Sequence, residues 1–203
     1  MKRTLAICTS HKNPTIETRA GLAAISSAGG SFRIFTGLAD VALARNLYLT
    51  RCLTIAGEVG ADLILLVDDD IAFTINDARA VVSQVRETGQ PVSACYATNT
   101  GHLAAAKQAN GRWFSGLGFL GLPLASLHEL AGSSARVRTV NGEECICFTW
   151  TGPELGAEPT WYSEDYRFCE RLGGVLLTKV AVGHVKPIAL YPDPQSMDKF
   201  LGG

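Results

Sequence analysis

Three consecutive carboxylates, Asp68-Asp69-Asp70, end the apolar run Leu63-Ile64-Leu65-Leu66-Val67. Two carboxylates about 4 Å apart repel by ~1 kcal/mol in water and ~4 kcal/mol at an effective dielectric of 20. Three side by side ask for a cation or a shared proton, so divalent metal binding is the first chemistry they suggest. A solvated acidic turn capping the next helix is the plainer alternative. A second acidic pair, Glu164-Asp165, follows Ser163. Ser163 suits a helix N-cap and the first turn favours ionised carboxylates, so taken alone the pair is ordinary capping. Downstream of both clusters stands Gly183-His184-Val185-Lys186-Pro187, in which His184 is a candidate ligand. Near the N-terminus, Thr9-Ser10-His11-Lys12-Asn13 combines hydroxyls, an imidazole and an ammonium, a set that can cradle a nucleotide or form a simple loop.

These residues need elements to position them. Leu63–Val67 reads as a buried strand of a parallel sheet, covered on both faces, and such strands present their active groups at their carboxyl ends. Thr4–Thr9 reads as an earlier strand, Ile16–Ala28 as a helix stopped by Gly29-Gly30, and Ser31–Phe35 as a second strand. Asp40–Val59 is an amphipathic helix with Arg45-Asn46 near its start; by periodicity Arg45 is a helix residue facing solvent. Thr74-x-x-Asp77 has the form of a capping box for a helix to Thr88, ended by Gly89, and Val92–Tyr96 is a further strand. The first half is thus β-α-β-α-β-α-β, a doubly wound α/β arrangement.

The second half differs. Asn110-Gly111 and Asn141-Gly142 are hairpin-turn signals, the latter between Val137–Val140 and Cys145–Phe148. Between them Ser115-Gly116-Leu117-Gly118-Phe119-Leu120-Gly121 offers closely approaching backbone, but without the strand-turn-helix context of a dinucleotide fingerprint. A short helix over 124–130 follows. Residues 151–160 are rich in Gly and Pro and read as a mobile loop; Val175–Val182 returns as strand.

At 203 residues, with 47% hydrophobic and 18% charged residues, the chain suits one globular domain. The formal net charge of −1 gives no global basic field for nucleic acid. Six cysteines without a C-x-x-C fit reduced thiols of a cytoplasmic protein, and no apolar run is long enough for a signal peptide or a membrane span.

Four pieces in order carry a resemblance to the GT-A fold glycosyltransferases, particularly the small enzymes similar to family 2. They are Ala44-Arg45-Asn46, Leu66-Val67-Asp68-Asp69-Asp70-Ile71, Gly116-Leu117-Gly118-Phe119, and Ser163-Glu164-Asp165-Tyr166-x-Phe168-Cys169 followed by Gly183-His184. The resemblance runs from Thr4 to about Pro187. It implies a nucleotide-diphospho-sugar transferase fold, with a Rossmann-like, mostly parallel sheet, helices on both faces and a hairpin-containing acceptor half. Residues 1–100 would bind the nucleotide sugar, 101–190 the acceptor, and 191–203 would form a tail of the same single domain.

By that resemblance Asp68-x-Asp70 is the D-x-D element. Asp70 would bind Mn²⁺ or Mg²⁺, Asp68 or Asp69 would share the metal or face the ribose, and His184 would be a further metal ligand. Thr9, Ser10 and Arg45 match positions near the nucleotide, a UDP-sugar being the foremost donor. Asp165 would be the general base and Glu164 its neighbour on the acceptor. The implied reaction is inverting transfer of one sugar to an acceptor hydroxyl. The family's Q-x-x-R-W segment and membrane helices, typical of processive synthases, are absent. Compact chains of this sort resemble glycosyltransferases carried on bacteriophage genomes, some of which decorate hydroxymethylated DNA bases; Arg112, Trp113, Arg136, Arg138, Trp150 and Trp161 are candidates for such an acceptor, or for stacking on sugar rings. Two rivals stand beside this reading. One is a fold of the same type that binds a nucleotide sugar without transferring it. The other is a haloacid-dehalogenase-like phosphohydrolase, whose pattern wants Thr or Val where this chain has Ala72, and which places the motif nearer the N-terminus.

Overall fold

Side chains alternate faces along a strand, and a strand apolar on both faces needs cover on each. In the computed structural model, Ile64 and Leu66 join one core with Leu5, Ile7, Leu47 and Phe168, whereas Leu63, Leu65 and Val67 join another with Ala6, Cys8, Leu22 and Val81. The structure describes residues 1–10, 13–37, 40–98, 101–139, 141–154, 160–186 and 189–190. His11, Lys12, the centre of the expected mobile loop (155–159) and the tail 191–203 lie outside them.

The chain begins β1 (Thr4–Ser10), α1 (Ile16–Ser27), β2 (Ser31–Thr36), α2 (Val41–Glu58), β3 (Leu63–Asp68), β4 (Ile71–Ala72), α3 (Ile75–Thr88) and β5 (Val92–Cys95). The caps follow the sequence: Asp40 accepts from Leu43 N at 2.8 Å, Thr74 and Asp77 form a reciprocal capping box, and Gly89 ends α3 at φ +65°. Next come β6 (Ala105–Lys107), β7 (Trp113–Ser115), β8 (Phe119–Pro123), α4 (Leu124–Gly132), β9 (Arg136–Arg138) and β10 (Glu144–Ile146). Both Asn-Gly pairs lie where expected, between β6 and β7 and between β9 and β10. The last elements are β11 (Gly152–Glu154), β12 (Thr160–Tyr162), α5 (Glu164–Arg171), β13 (Leu176–Ala181), β14 (Gly183–Val185) and β15 (Ala189–Leu190).

The central sheet has six strands in the order β13-β5-β8-β3-β1-β2. β1 is parallel to both β2 and β3, and β13 is parallel to β5. β8 runs antiparallel between β3 and β5, pairing Val67 with Phe119 and Val92 with Gly121. This strand departs from the purely β-α-β reading, in which Gly118–Gly121 counted only as close backbone. A Cβ on Gly121 would lie 2.9 Å from methyl groups of Val81 and Val85, so glycine there lets α3 pack on the sheet. The expected loop 151–160 differs as well, since β11 and β12 pair as an antiparallel ribbon with Gly152 opposite Tyr162. Among the described residues no helix is long and apolar enough to cross a membrane.

Candidate functional site

β1 and β3 are neighbours, with Thr9 opposite Asp68, and the chain leaves β1 toward β2 on one side and reaches β3 on the other. A crevice therefore opens at their carboxyl ends, the place where open α/β sheets bind ligands. A cleft of about 570 Å³ lies there, lined by Thr9, Ser10, Val41, Ala44, Arg45, Tyr48, Asp68, Asp69, Asp70, Glu164, His184 and Lys186. Eight of the nine residues singled out in the sequence line it. The ninth, Asp165, lies behind, against Arg45.

The three aspartates resolve their repulsion by turning to different partners. Asp68 accepts from Thr9 Oγ1 at 3.3 Å and faces the Arg45 guanidinium at 3.5 Å. Asp69 accepts from Ser10 Oγ at 2.6 Å, and its carbonyl accepts from Thr15 N and Thr18 Oγ1 at 2.8 and 3.0 Å. Asp70 Oδ2 meets His184 Nε2 at 3.0 Å and Lys186 Nζ at 2.5 Å. The cluster is thus relieved by the chain's own cations and hydroxyls. Asp68 and Asp70, expected to share a metal, belong to separate sets, and among the described residues no three His, Cys, Asp or Glu side chains converge to hold an ion.

Asp70 and His184 nonetheless suit a divalent cation. β14 pairs with β4, setting His184 opposite Ile71, and Val185 N donates to the Asp70 carbonyl at 2.6 Å. His184 Nδ1 lies 2.8 Å from the Ala97 carbonyl, which only accepts, so Nδ1 carries the hydrogen. Nε2 then faces a carboxylate oxygen, a contact that needs a proton or a metal between the two lone pairs. An imidazole fixed by a backbone carbonyl and paired with a carboxylate is the usual dress of a metal-ligating histidine. With two protein donors, the remaining positions would fall to water and ligand oxygens, as is common for Mg²⁺.

Arg45 is the hub of the other set. Its side chain is 8% exposed and lies 3.1 Å from Asp165 Oδ1, 3.5 Å from Asp68 and 3.7 Å from Glu164. It is a buried counter-ion rather than the solvent-facing residue its periodicity suggests. Burial opposes its charge, but Asp165, Asp68 and Glu164 more than offset this and hold it protonated. Asp165 is raised from the ordinary carboxylate value to about 6: burial pushes it up against the pull of Arg45, and Glu164 and Asp68 add to the push. Asp165 Oδ1 is itself buried and meets the Arg45 guanidinium at 3.1 Å, so this carboxylate, prone to take a proton, is held against a buried cation.

Ser163 caps α5, its Oγ accepting from Tyr166 N at 3.3 Å, so the acidic pair occupies the first turn, with Glu164 lining the cleft and Asp165 behind it. The Gly116-Leu117-Gly118 turn joins this helix to the sheet. Gly118 N donates to Tyr96 Oη at 3.0 Å, the Gly118 carbonyl accepts from Asp68 N at 2.9 Å, and a Cβ on Gly116 would overlap the Tyr96 hydroxyl and meet Asp165 Oδ2 at 3.4 Å. Asn46 ties α2 to the segment before α5: its Oδ1 accepts from Phe148 N and Thr149 N at 2.9 and 3.0 Å, and its Nδ2 donates to the Thr149 carbonyl at 2.8 Å.

Tyr96, Asn46 and Lys186 are the residues that sequence reasoning left without a role. Lys186 lies two residues after His184, a spacing that puts both side chains on one side of a strand. Asn46 is a poor helix former inside α2, past its cap, which signals a side chain bonded elsewhere. The proposed acceptor residues divide. Trp113 is buried and Arg112 donates to the Gly174 carbonyl at 2.7 Å, so both serve the fold, and Arg136 pairs with Glu144 on the hairpin. Arg138 is exposed, Trp161 is 68% exposed, and Trp150 is half-exposed with Arg167 stacked against it. The six thiols are free, and five of them are buried.

No family model matches the chain, and no curated protein matches it. Among solved structures, one titled "Crystal Structure of A197 from STIV" is similar, with a TM-score of 0.64 and 17% sequence identity over 95% of this chain and 91% of that one. At that identity the likeness concerns the fold alone: a mixed α/β chain with a mostly parallel central sheet flanked by helices.

Proposed function

We propose that the chain is a GT-A-type glycosyltransferase that moves one sugar from a nucleoside-diphosphate sugar to an acceptor hydroxyl with inversion. The observation that carries this reading is that a carboxylate placed for a cation lines the crevice and a carboxylate prone to take a proton lies directly behind it. Asp70 is held between an imidazole and an ammonium, whereas Asp165, against Arg45, is pushed up by burial to about 6. A cation site beside a carboxylate that readily takes a proton offers the electrostatic and the proton-transfer parts of a group transfer.

The donor's diphosphate would lie toward Thr9, Ser10 and Asp70, and the acceptor toward Glu164 and Asp165. The acceptor oxygen attacks the anomeric carbon, its proton passes to Asp165, and the bond from that carbon to the diphosphate oxygen breaks with its electron pair leaving on the diphosphate. A divalent cation held by Asp70 and His184 would supply neutralisation of that departing charge. Glu164, fixed by Thr149 Oγ1 donating to its carbonyl, would orient the acceptor.

Incubation with Mn²⁺, a panel of nucleotide sugars and candidate acceptors, read as nucleoside diphosphate released and as product mass, tests the proposal. Donor-dependent release that disappears in Asp165→Asn supports it. Donor binding without release would indicate a binding protein, and phosphate freed from a generic ester would indicate a phosphohydrolase.

A further inference from the structure

We infer that Lys186 is a resident counter-ion which a divalent metal must displace from Asp70, so that metal and nucleoside diphosphate bind cooperatively. The inference rests on the metal reading of Asp70 and His184 given above. Both His184 Nε2 and Lys186 Nζ meet the same oxygen, Asp70 Oδ2, at 3.0 and 2.5 Å. A carboxylate oxygen has two lone-pair sites, and here both face cationic or donor groups. A metal bound to that oxygen and to His184 Nε2 takes the lone pair facing the imidazole and sets a dication against the ammonium on the other.

The two groups are not equally free to leave. His184 lies within β14, is 14% exposed, and is tethered through Nδ1 to the Ala97 carbonyl. Lys186 follows the end of β14, and its side chain is 40% exposed. The ammonium is therefore the group that swings away, and it is also the one that a dication beside it repels. An ammonium driven off a carboxylate needs another anion. Lys186 lines the same cleft as Thr9 and Ser10, where the diphosphate would lie, so the incoming nucleotide offers the displaced ammonium a new partner. Metal without nucleotide leaves Lys186 unpaired, and nucleotide without metal leaves it shared between two anions. Each ligand thus favours the other, and the coupling is reciprocal.

The test is Mn²⁺ binding followed by electron paramagnetic resonance at fixed pH for wild type, Lys186→Met and Lys186→Arg, each with and without saturating UDP, with a UDP-only titration accounting for metal held by free nucleotide. In the absence of UDP, Lys186→Met should bind Mn²⁺ about tenfold tighter than wild type, and the tightening that UDP gives wild type should shrink in the variant. Lys186→Arg, which keeps the charge, should behave as wild type. Equal Mn²⁺ affinity of wild type and Lys186→Met would overturn the displacement while leaving the metal site standing. An arginine variant binding as tightly as the methionine one would overturn the charge argument. Absence of protein-bound Mn²⁺ in wild type and in Lys186→Met, even with UDP, would overturn the metal reading itself.

Discussion

Asp165 bears its charge against burial, Glu164 and Asp68, with Arg45 and a backbone hydrogen bond from Leu117 to offset them. Asp165→Asn keeps the shape and removes the proton acceptor, so turnover should fall on the order of 10² to 10⁴ while UDP affinity, read by calorimetry, stays within about twofold. As the proposed base, Asp165 must be ionised to act, so wild-type turnover should rise as the pH passes about 6 and level above it. The same shift has a stability sign. The folded-state value lies above the unfolded one, so between about 4 and 6 the folded chain binds more protons, and stability falls as pH rises through that window. Asp165→Asn should therefore melt no lower than wild type at pH 8, with any gain vanishing near pH 4. At the other carboxylate, Asp70→Ala should abolish Mn²⁺ binding, whereas His184→Ala, which removes a neutral ligand, should only weaken it. Asp165 and Asp70 were legible in the sequence through their place in the motif order. The buried guanidinium between Asp68 and Asp165 was not, because Arg45 sits in a helix whose periodicity says nothing of what crosses over it.

At the scale of elements, the Gly116-Leu117-Gly118 turn is where sheet, Tyr96 and α5 meet. Gly116→Ala drives a methyl into the Tyr96 hydroxyl, so it should destabilise by about 1–3 kcal/mol in urea unfolding, and adding Tyr96→Phe should recover part of the loss. Asn46→Ala leaves the Phe148 and Thr149 N–H groups, both bonded to one side-chain oxygen, without that acceptor. The expected cost is about 2–4 kcal/mol, measured the same way. Helices and parallel strands of the first half were readable because caps, glycine stops and apolar periods agree there. The strands that complete the site were not: β4 is two residues long and β14 three, too short for any period, and β8 carries Gly121 where a strand pattern expects a side chain. Their identity is decided by partners distant in sequence, Ala72 opposite Gly183 and Val67 opposite Phe119.

At the scale of the molecule, the two halves that the resemblance implies within one domain share a single sheet. The first-half strands β3 and β5 are held apart by a strand from the second half, and α5, also from that half, closes the cleft at the ends of β1 and β3. A fragment of residues 1–100 should accordingly fail to give a cooperative melt, as judged by circular dichroism, although it contains four of the six sheet strands and three helices. The same insertion bears on how the chain is made. A ribosome delivers β3 and β5 before β8, so for the time taken to add Tyr96 to Pro123, about 1–6 s at usual elongation rates, the nascent chain holds two apolar strands with no partner between them. They can pair wrongly with each other or with another chain's edge during that interval. Biosynthesis at high concentration should therefore depend on chaperones that shield strand edges, and slowed translation between codons 96 and 123 should lower the yield of folded protein more than the same delay placed after codon 123.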